Sequence, residues 1–173
     1  MTADPHGADR NSGPDAGVAA LDPAEAAAAE RLAIRKRAMD FLARREHAYA
    51  ELVVKLRKRE HAADEIGPVL DELVDDGLLS DARYAEAVVR SKSERGIGPQ
   101  RIRAELTAVG VGDGVIDMAF ENVPVDWFAL ANAVRRKRFG NDVPTDFPTR
   151  AKQMRFLQRR GFDTDQLRAA FDD

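Results

Sequence analysis

Four clusters of basic residues are the side chains of this chain best suited to binding another molecule. They are Arg57-Lys58-Arg59, Arg101 with Arg103, Arg135-Arg136-Lys137-Arg138, and Arg159-Arg160. Arg and Lys side chains bind phosphate groups and acidic protein surfaces. The alternative is a local role, because a cation near a helix C-terminus is stabilised by the helix dipole, by about 0.3–1 kcal/mol. Three of the clusters lie on, or at the end of, the second helix of a repeated unit, which favours a shared binding face.

The charge of the chain alternates in blocks. The overall charge is −3, but residues 31–60, 90–109 and 135–160 are each net basic, and the segments before, between and after them are net acidic. Solvated helix faces produce such blocks, and this is the plain interpretation of any one of them. Three basic blocks in phase with a structural repeat indicate, in addition, a discontinuous cationic stripe that could meet phosphate or an acidic protein surface.

Candidates for catalysis or metal binding are weak. The histidines are His6, His47 and His61; the sequence has no HExxH motif, and no His–carboxylate pair at i, i+4 is interpreted as a metal site. The run from Gly110 to Gly114 contains three glycines, but it has no preceding strand and no following Lys-Ser/Thr, so it does not match a phosphate loop. The acidic pairs Asp71-Glu72 and Asp75-Asp76 are interpreted as a solvated helix face. We therefore expect no enzyme activity, no metal and no cofactor.

Composition indicates the cellular location to expect. The chain has 173 residues and no cysteine, which excludes disulfides and thiolate chemistry and fits a cytoplasmic protein. No apolar stretch approaches the roughly 18 residues that span a bilayer, and the N-terminus lacks a signal pattern, so no membrane association is expected.

One apolar spacing occurs three times and indicates the elements that position the basic clusters. In each copy a leucine is followed by apolar residues ten and fourteen positions later, and the anchors Leu56, Leu106 and Leu157 recur at a nearly constant period. The followers are Ile66 and Leu70, Ile116 and Phe120, and Leu167 and Phe171. A fixed period of this size is typical of arrays of repeated units, which offer long surfaces rather than one catalytic pocket.

The helical spacing of apolar residues predicts an all-α chain of three tandem three-helix units in an elongated, curved array. We predict a disordered tail over 1–21, a first unit with an N-terminal helix extension over 22–79, a second over 80–123 and a third over 124–173. Four helix starts follow from capping chemistry. They are at Asp22-Pro23, at Ser80 or Asp81, at Asp126, and at Asp163 with Gln166.

Several separated stretches resemble the RecX family, the bacterial regulators of the RecA recombinase. They are Ala38–Leu56 (AMDFLARREHAYAELVVKL), Val69–Ala85 (VLDELVDDGLLSDARYA), Gly96–Leu106 (GIGPQRIRAEL) and Lys152–Phe162 (KQMRFLQRRGF). The resemblance covers about residues 33–173. Two positions depart from the family pattern: Ala48 stands where a small hydroxyl residue is common, and Glu60-His61 replaces a Gly-aromatic pair.

The resemblance implies a non-enzymatic regulator of homologous recombination and DNA repair. It implies binding to the RecA–DNA filament and modulation, mainly inhibition, of ATP hydrolysis, strand exchange and co-protease activity, with DNA phosphates contacted inside the filament. We expect a monomer when free. The predicted binding stripe contains nine residues: Arg57, Lys58, Arg101, Arg103, Arg135, Lys137, Lys152, Arg155 and Arg159. The alternatives are a helical regulator that binds DNA directly and a helical adaptor for another protein.

Overall fold

Residues 22–172 are described by a computed structural model, and in this range the chain forms nine α-helices and no strand. The predicted tail over 1–21 lies outside the described residues. The helices are α1 (Pro23–Leu42), α2 (Tyr49–Arg57), α3 (Ala63–Asp75), α4 (Asp81–Glu94), α5 (Pro99–Ala108), α6 (Asp113–Asn122), α7 (Trp127–Phe139), α8 (Phe147–Arg159) and α9 (Thr164–Ala169). The closest helix–helix packing joins helices of the same consecutive triplet. The prediction of an all-α chain of three three-helix units is confirmed.

Each unit has its own core, and the repeated spacing lines it. Leu56, Leu106 and Leu157 are buried at equivalent places in the three cores. The residues ten positions later are buried as well, and of those fourteen positions later only Phe120 is partly exposed. The residues of the repeated spacing are therefore those through which the second and third helices of each unit pack together.

Most helices are capped by the side chain of the residue that precedes them, and two helices are capped by a side chain from another part of the chain. Asp22, Ser80 and Asp126 each accept a bond from a backbone amide of the helix that follows, and Asp163 forms the predicted capping box with Gln166. Helices α2 and α3 follow alanines, which offer no side-chain cap. Their caps come from elsewhere in the chain: Oδ1 of Asp81 accepts from the Tyr49 amide at 2.7 Å, and Oε1 of Glu30 accepts from the Ala62 amide at 3.0 Å.

Both departures from the family pattern are accommodated locally. Ala48 is 1% exposed and belongs to the core of unit two, so a small side chain at this place lets unit one dock on unit two. Glu60 has a φ of 63°, the left-handed conformation that glycine adopts most readily. The left-handed turn after α2 is thus kept without a glycine, at a conformational cost of order 1–3 kcal/mol.

Backbone hydrogen bonds between the ends of two helices join units two and three. The amides of Gly98 and Gln100, at the start of α5, donate to the carbonyls of Arg160 and Gly161, at the end of α8, at 2.8 and 3.0 Å. Helix ends leave such groups without partners, and here the free amides of one helix satisfy the free carbonyls of another. The C-terminal end of α8 therefore meets the N-terminal end of α5, which brings dipole ends of opposite sign together.

Candidate partner-binding surface

The stripe residues of unit one stand at the C-terminal end of α2. Arg57 is its last residue and Lys58 its C-cap, and both side chains are exposed. Within residues 22–172 no carboxylate oxygen comes within 4.0 Å of either side chain. Both charges therefore remain available to a partner, and both also interact favourably with the helix dipole.

The two stripe residues on α5 point to different neighbours. Arg101 is ion-paired with Glu105 at 3.2 Å and faces unit three. Arg103 is ion-paired with Asp117 of α6 at 2.5 Å, and its guanidinium lies 4.4 Å from the centre of the Phe120 ring. Residues two apart on a helix point away from each other, so a single face of α5 does not present both side chains.

Helix α8 carries one continuous cationic face. Lys152, Arg155 and Arg159 are all exposed, and their spacings of three and four residues place them on one side of the helix. In the part of the chain that the structure describes, none of the three has a carboxylate within 4.0 Å. This is the most regular part of the predicted stripe.

The prediction that Arg135 faces a partner is corrected by the structure. Its side chain is 1% exposed and lies inside unit three, above the ring of Phe171 at 5.6 Å. Its guanidinium donates to the carbonyls of Asp142 at 3.0 Å and Asn141 at 3.2 Å. A guanidinium stays charged in proteins, and these carbonyls with the aromatic face replace part of its hydration. Arg135 therefore ties the loop after α7 to the core.

Stripe residues from two units converge at the interface between units two and three. Nη1 of Arg101 approaches the carbonyl of Arg159 at 3.5 Å, although 58 residues separate them in the chain. Both side chains line a cavity of about 420 Å³. The remaining lining residues are Gln100, Gln158, Gly161, Phe162, Asp163, Thr164 and Leu167.

The opposite side of this interface holds Lys137 in a second cavity of about 430 Å³. We call this cavity the basic groove, and its lining residues are Glu94, Arg95, Gly96, Leu130, Ala133, Val134, Lys137, Arg138, Phe156 and Arg160. Three of its cations, Arg95, Arg138 and Arg160, are absent from the predicted stripe. Arg138 and Arg160 belong to the basic clusters of the sequence, whereas Arg95 is outside them. Arg95 precedes Gly96 in the loop between α4 and α5, and this loop contacts Arg160 of unit three.

The ionisable groups show salt bridges rather than acid–base machinery. Hydrogen bonds from Lys92 and Arg101 hold the pKa of Glu105 below its usual value, and the Ala62 amide and His61 do the same for the pKa of Glu30. In residues 22–172 no group of three or more His, Asp or Glu side chains could hold a metal ion. No helix in that range is long and apolar enough to cross a membrane.

Fold and surface together define a class of protein: a tandem array of three-helix units that displays exposed cations. Sequence models of RecX match the chain unit by unit, the first three-helix domain over 35–73, the second over 80–119 and the third over 125–171. The chain belongs to the RecX family.

Relatives and solved structures agree with this assignment. The "Regulatory protein RecX" of Halorhodospira halophila is 52% identical over 146 residues, which are 84% of this chain and 90% of the relative. The protein of that name from Pseudomonas entomophila is 45% identical over 136 residues, 79% and 88% of the two chains. A crystal structure of regulatory protein RecX matches with a TM-score of 0.75 and 25% identity over 89% of this chain and 81% of its own. RecX from Lactobacillus salivarius shares the fold, with a TM-score of 0.70, 21% identity and coverage of 83% and 95%.

Proposed function

We propose that this chain binds the RecA–DNA filament and modulates it, mainly by inhibiting ATP hydrolysis, strand exchange and co-protease activity. It acts in the cytoplasm as a regulator of recombination and repair, and not as an enzyme. The regulatory role named for its relatives supports this, and the mode of action comes from the family resemblance.

The observation that carries the proposal is the placement, on two different units, of exposed cations that have no ion-pair partner among residues 22–172. Arg57 and Lys58 extend from unit one, and Lys152, Arg155 and Arg159 from unit three. Sites on linked units that meet one repetitive partner raise avidity without any single strong contact. A nucleoprotein filament offers repeated subunits and DNA phosphates, so it suits this arrangement.

Direct reading of duplex DNA receives less support from the third helices of units one and two. A helix-turn-helix protein usually inserts such a helix into the major groove and needs cations and amides there. Helix α3 contains five acidic residues and α6 contains three, and neither contains Lys or Arg. Both helices would therefore be repelled by DNA phosphates.

The test reverses the charge of the α8 face with Arg155→Glu and Arg159→Glu together. We expect the concentration that half-inhibits RecA ATP hydrolysis on single-stranded DNA to rise at least ~10-fold at low salt, and the change to shrink as salt screens the contact. The matched control is Lys36→Glu with Arg37→Glu on α1, which changes the same charge and should leave inhibition within about 2-fold.

Three results would contradict the proposal. One is a wild-type protein that leaves RecA ATP hydrolysis unchanged, which with a pull-down that recovers no RecA would favour the adaptor alternative. The second is equal inhibition by the wild type and the α8 variant, which would remove the α8 face from the binding surface. The third is tight, sequence-specific binding to duplex DNA without RecA, which would favour the direct DNA-binding alternative.

A further inference from the structure

The basic groove has an apolar floor. Leu130, Ala133 and Val134 of α7 line it from one side, and Phe156 of α8 lines it from the other. Three of these side chains, those of Leu130, Val134 and Phe156, are partly buried and pack on the core of unit three. A concave surface of this kind is suited to one or two apolar side chains of a ligand.

The rim of the groove is strongly cationic. Arg95, Lys137, Arg138 and Arg160 surround the floor, and Glu94 is the single acidic residue of the lining. Among the described residues, no carboxylate oxygen lies within 4.0 Å of these four cations. By contrast, Arg101 and Arg103 nearby are already ion-paired. The groove thus combines apolar surface with four cations that form no ion pair within residues 22–172.

The walls of the groove are held in place before any ligand arrives. Nη1 of Arg160 donates to the carbonyls of Arg95 at 3.1 Å and Gly96 at 3.2 Å, and the guanidinium lies 5.1 Å from the centre of the Phe156 ring. Gly96 sits so close to Val134 that a side-chain carbon there would overlap it. A preorganised surface loses little conformational entropy when it binds.

We propose that the basic groove is a docking site for an acidic protein segment that inserts an apolar side chain between α7 and the loop at Arg95. Carboxylates on both sides of that apolar residue complement the rim, and the floor receives the residue itself. Single-stranded nucleic acid fits less well because its bases need an exposed aromatic face. The Phe156 ring is contacted by Arg160 and, edge to face at 5.2 Å, by Phe139.

This inference deepens the proposed function, because it rests on a protein partner and names the chemistry by which one segment of that partner is recognised. The test uses peptides and no RecA, so its failure and the failure of the proposed function are distinguishable. The probe is a fluorescein-labelled peptide of about twelve residues, mostly Glu and Asp, with a central Leu-Phe. A second peptide has Ser-Ser in place of Leu-Phe and the same charge. Binding to the full chain is followed by fluorescence anisotropy.

Two variants of the chain separate charge from apolar contact. Lys137→Glu with Arg138→Glu reverses the rim, and Ala133→Trp fills the groove without changing its charge. Ala133 is exposed, so the larger side chain does not enter the core. We expect each variant to weaken binding of the Leu-Phe peptide about 10-fold or more, and the Ser-Ser peptide to bind the wild type at least ~5-fold less tightly. Lys36→Glu with Arg37→Glu is the matched control and should bind within about 2-fold of the wild type.

The outcomes either support the docking site or overturn it. Loss of binding in both groove variants but not in the control supports it, provided that circular dichroism shows the helices intact. Equal binding of the two peptides would overturn it, because the affinity would then come from charge attraction alone, with no contribution from the apolar side chains. Insensitivity to Ala133→Trp would do the same. Displacement of the peptide by an equal concentration of oligo-dT would identify a nucleic-acid groove instead, and concentration-dependent self-association blocked by the peptide would identify a second copy as the occupant.

Discussion

Arg135 shows how a cation of the longest basic cluster becomes a structural residue. Its neighbours Arg136, Lys137 and Arg138 are exposed, whereas Arg135 faces the inside of α7. The loop after α7 turns its carbonyls toward the core at this point, and two of them accept from the guanidinium. A buried charge is tolerated when hydrogen bonds replace its water.

We predict that Arg135→Met destabilises the protein by about 2–4 kcal/mol. The methionine keeps much of the volume, but it leaves the carbonyls of Asn141 and Asp142 without their donor. Urea unfolding followed by circular dichroism measures the change. The control is Arg136→Met on the exposed face of the same helix, which should stay within about 0.5 kcal/mol of the wild type. Equal effects of the two substitutions would contradict a structural role for Arg135.

At this scale the sequence predicts residue types better than it predicts which way they face. The clusters identify most of the cations around the interface between units two and three. Their orientation depends on helix phase and on loops that apolar spacing does not describe. The divergence of Arg101 and Arg103 follows from a two-residue step on a helix. The burial of Arg135 depends on the path of the loop after α7, whose carbonyls accept its hydrogen bonds. The repeated apolar spacing contains no information about that loop, so the sequence pattern could not show the burial.

The glycines where α5 meets α8 decide how these two elements can pack. Gly161 has a φ of 91°, and a side-chain carbon there would lie 2.6 Å from the backbone nitrogen of Arg101. Gly98 has an ordinary φ of −79°, but a side-chain carbon there would lie 2.5 Å from the backbone nitrogen of Phe162. Backbone atoms cannot move aside as a flexible side chain can, so both positions require the absence of a side chain.

Alanine substitutions at the two junction glycines, compared with one at Gly77 after α3, separate backbone strain from collision. Gly77→Ala introduces only strain, because Gly77 has a φ of 69° and open space around it, and should cost about 1 kcal/mol. Gly98→Ala introduces only collision, and Gly161→Ala introduces both. We predict that each of the latter two costs at least about 2 kcal/mol and exposes the backbone amides at positions 98 and 100 to hydrogen exchange. Unchanged protection of these amides in Gly161→Ala would contradict the end-to-end contact.

The elements themselves were the most predictable level of the structure. The spacing of ten and fourteen residues identifies the second and third helices of every unit, and the polar starts at Asp22, Ser80, Asp126 and Asp163 cap the helices that they precede. Caps supplied by distant residues, such as Asp81 for α2, depend on tertiary contacts and leave no local signal.

The whole molecule is joined by two interfaces of different chemistry. Units two and three share backbone hydrogen bonds, which do not titrate. Units one and two share side-chain contacts, among them the Asp81 cap on Tyr49 and an ion pair between Arg83 and Glu46 at 2.8 Å. His47 lies beside the interface between units one and two. It is 2% exposed and immediately precedes Ala48, which belongs to the core of unit two. The attachment of unit one should therefore respond to pH through His47.

The surroundings of His47 favour its neutral form. Nδ1 lies 3.0 Å from the carbonyl of Arg45 and so carries the proton, and Nε2 lies 2.9 Å from Nζ of Lys55 and so accepts. Burial lowers the pKa of His47 below 6.5, and the charges of Arg45 and Lys55 act in the same direction, while the Arg45 carbonyl and Glu51 oppose them. Protonation of Nε2 would turn its contact with Lys55 into a repulsion.

The sign of the pH dependence follows from that lowered pKa. Below pH 6.5 the imidazole of His47 binds a proton more readily in the unfolded chain than in the folded chain. The contribution of His47 to the free energy of unfolding is therefore fully present above pH 6.5, and it is lost as the pH falls from there through the folded-state pKa. We predict a loss of up to about 1 kcal/mol between about pH 7.5 and 5.5, measured by urea unfolding. This window lies above the range of Glu51, whose pKa is held below 4.5 by Arg45 and Lys55 although burial opposes them. His47→Gln keeps a polar side chain at this place but removes the titrating imidazole, so it should remove this part of the slope. An equal slope in the variant would show that the interface between units one and two does not depend on the charge of His47.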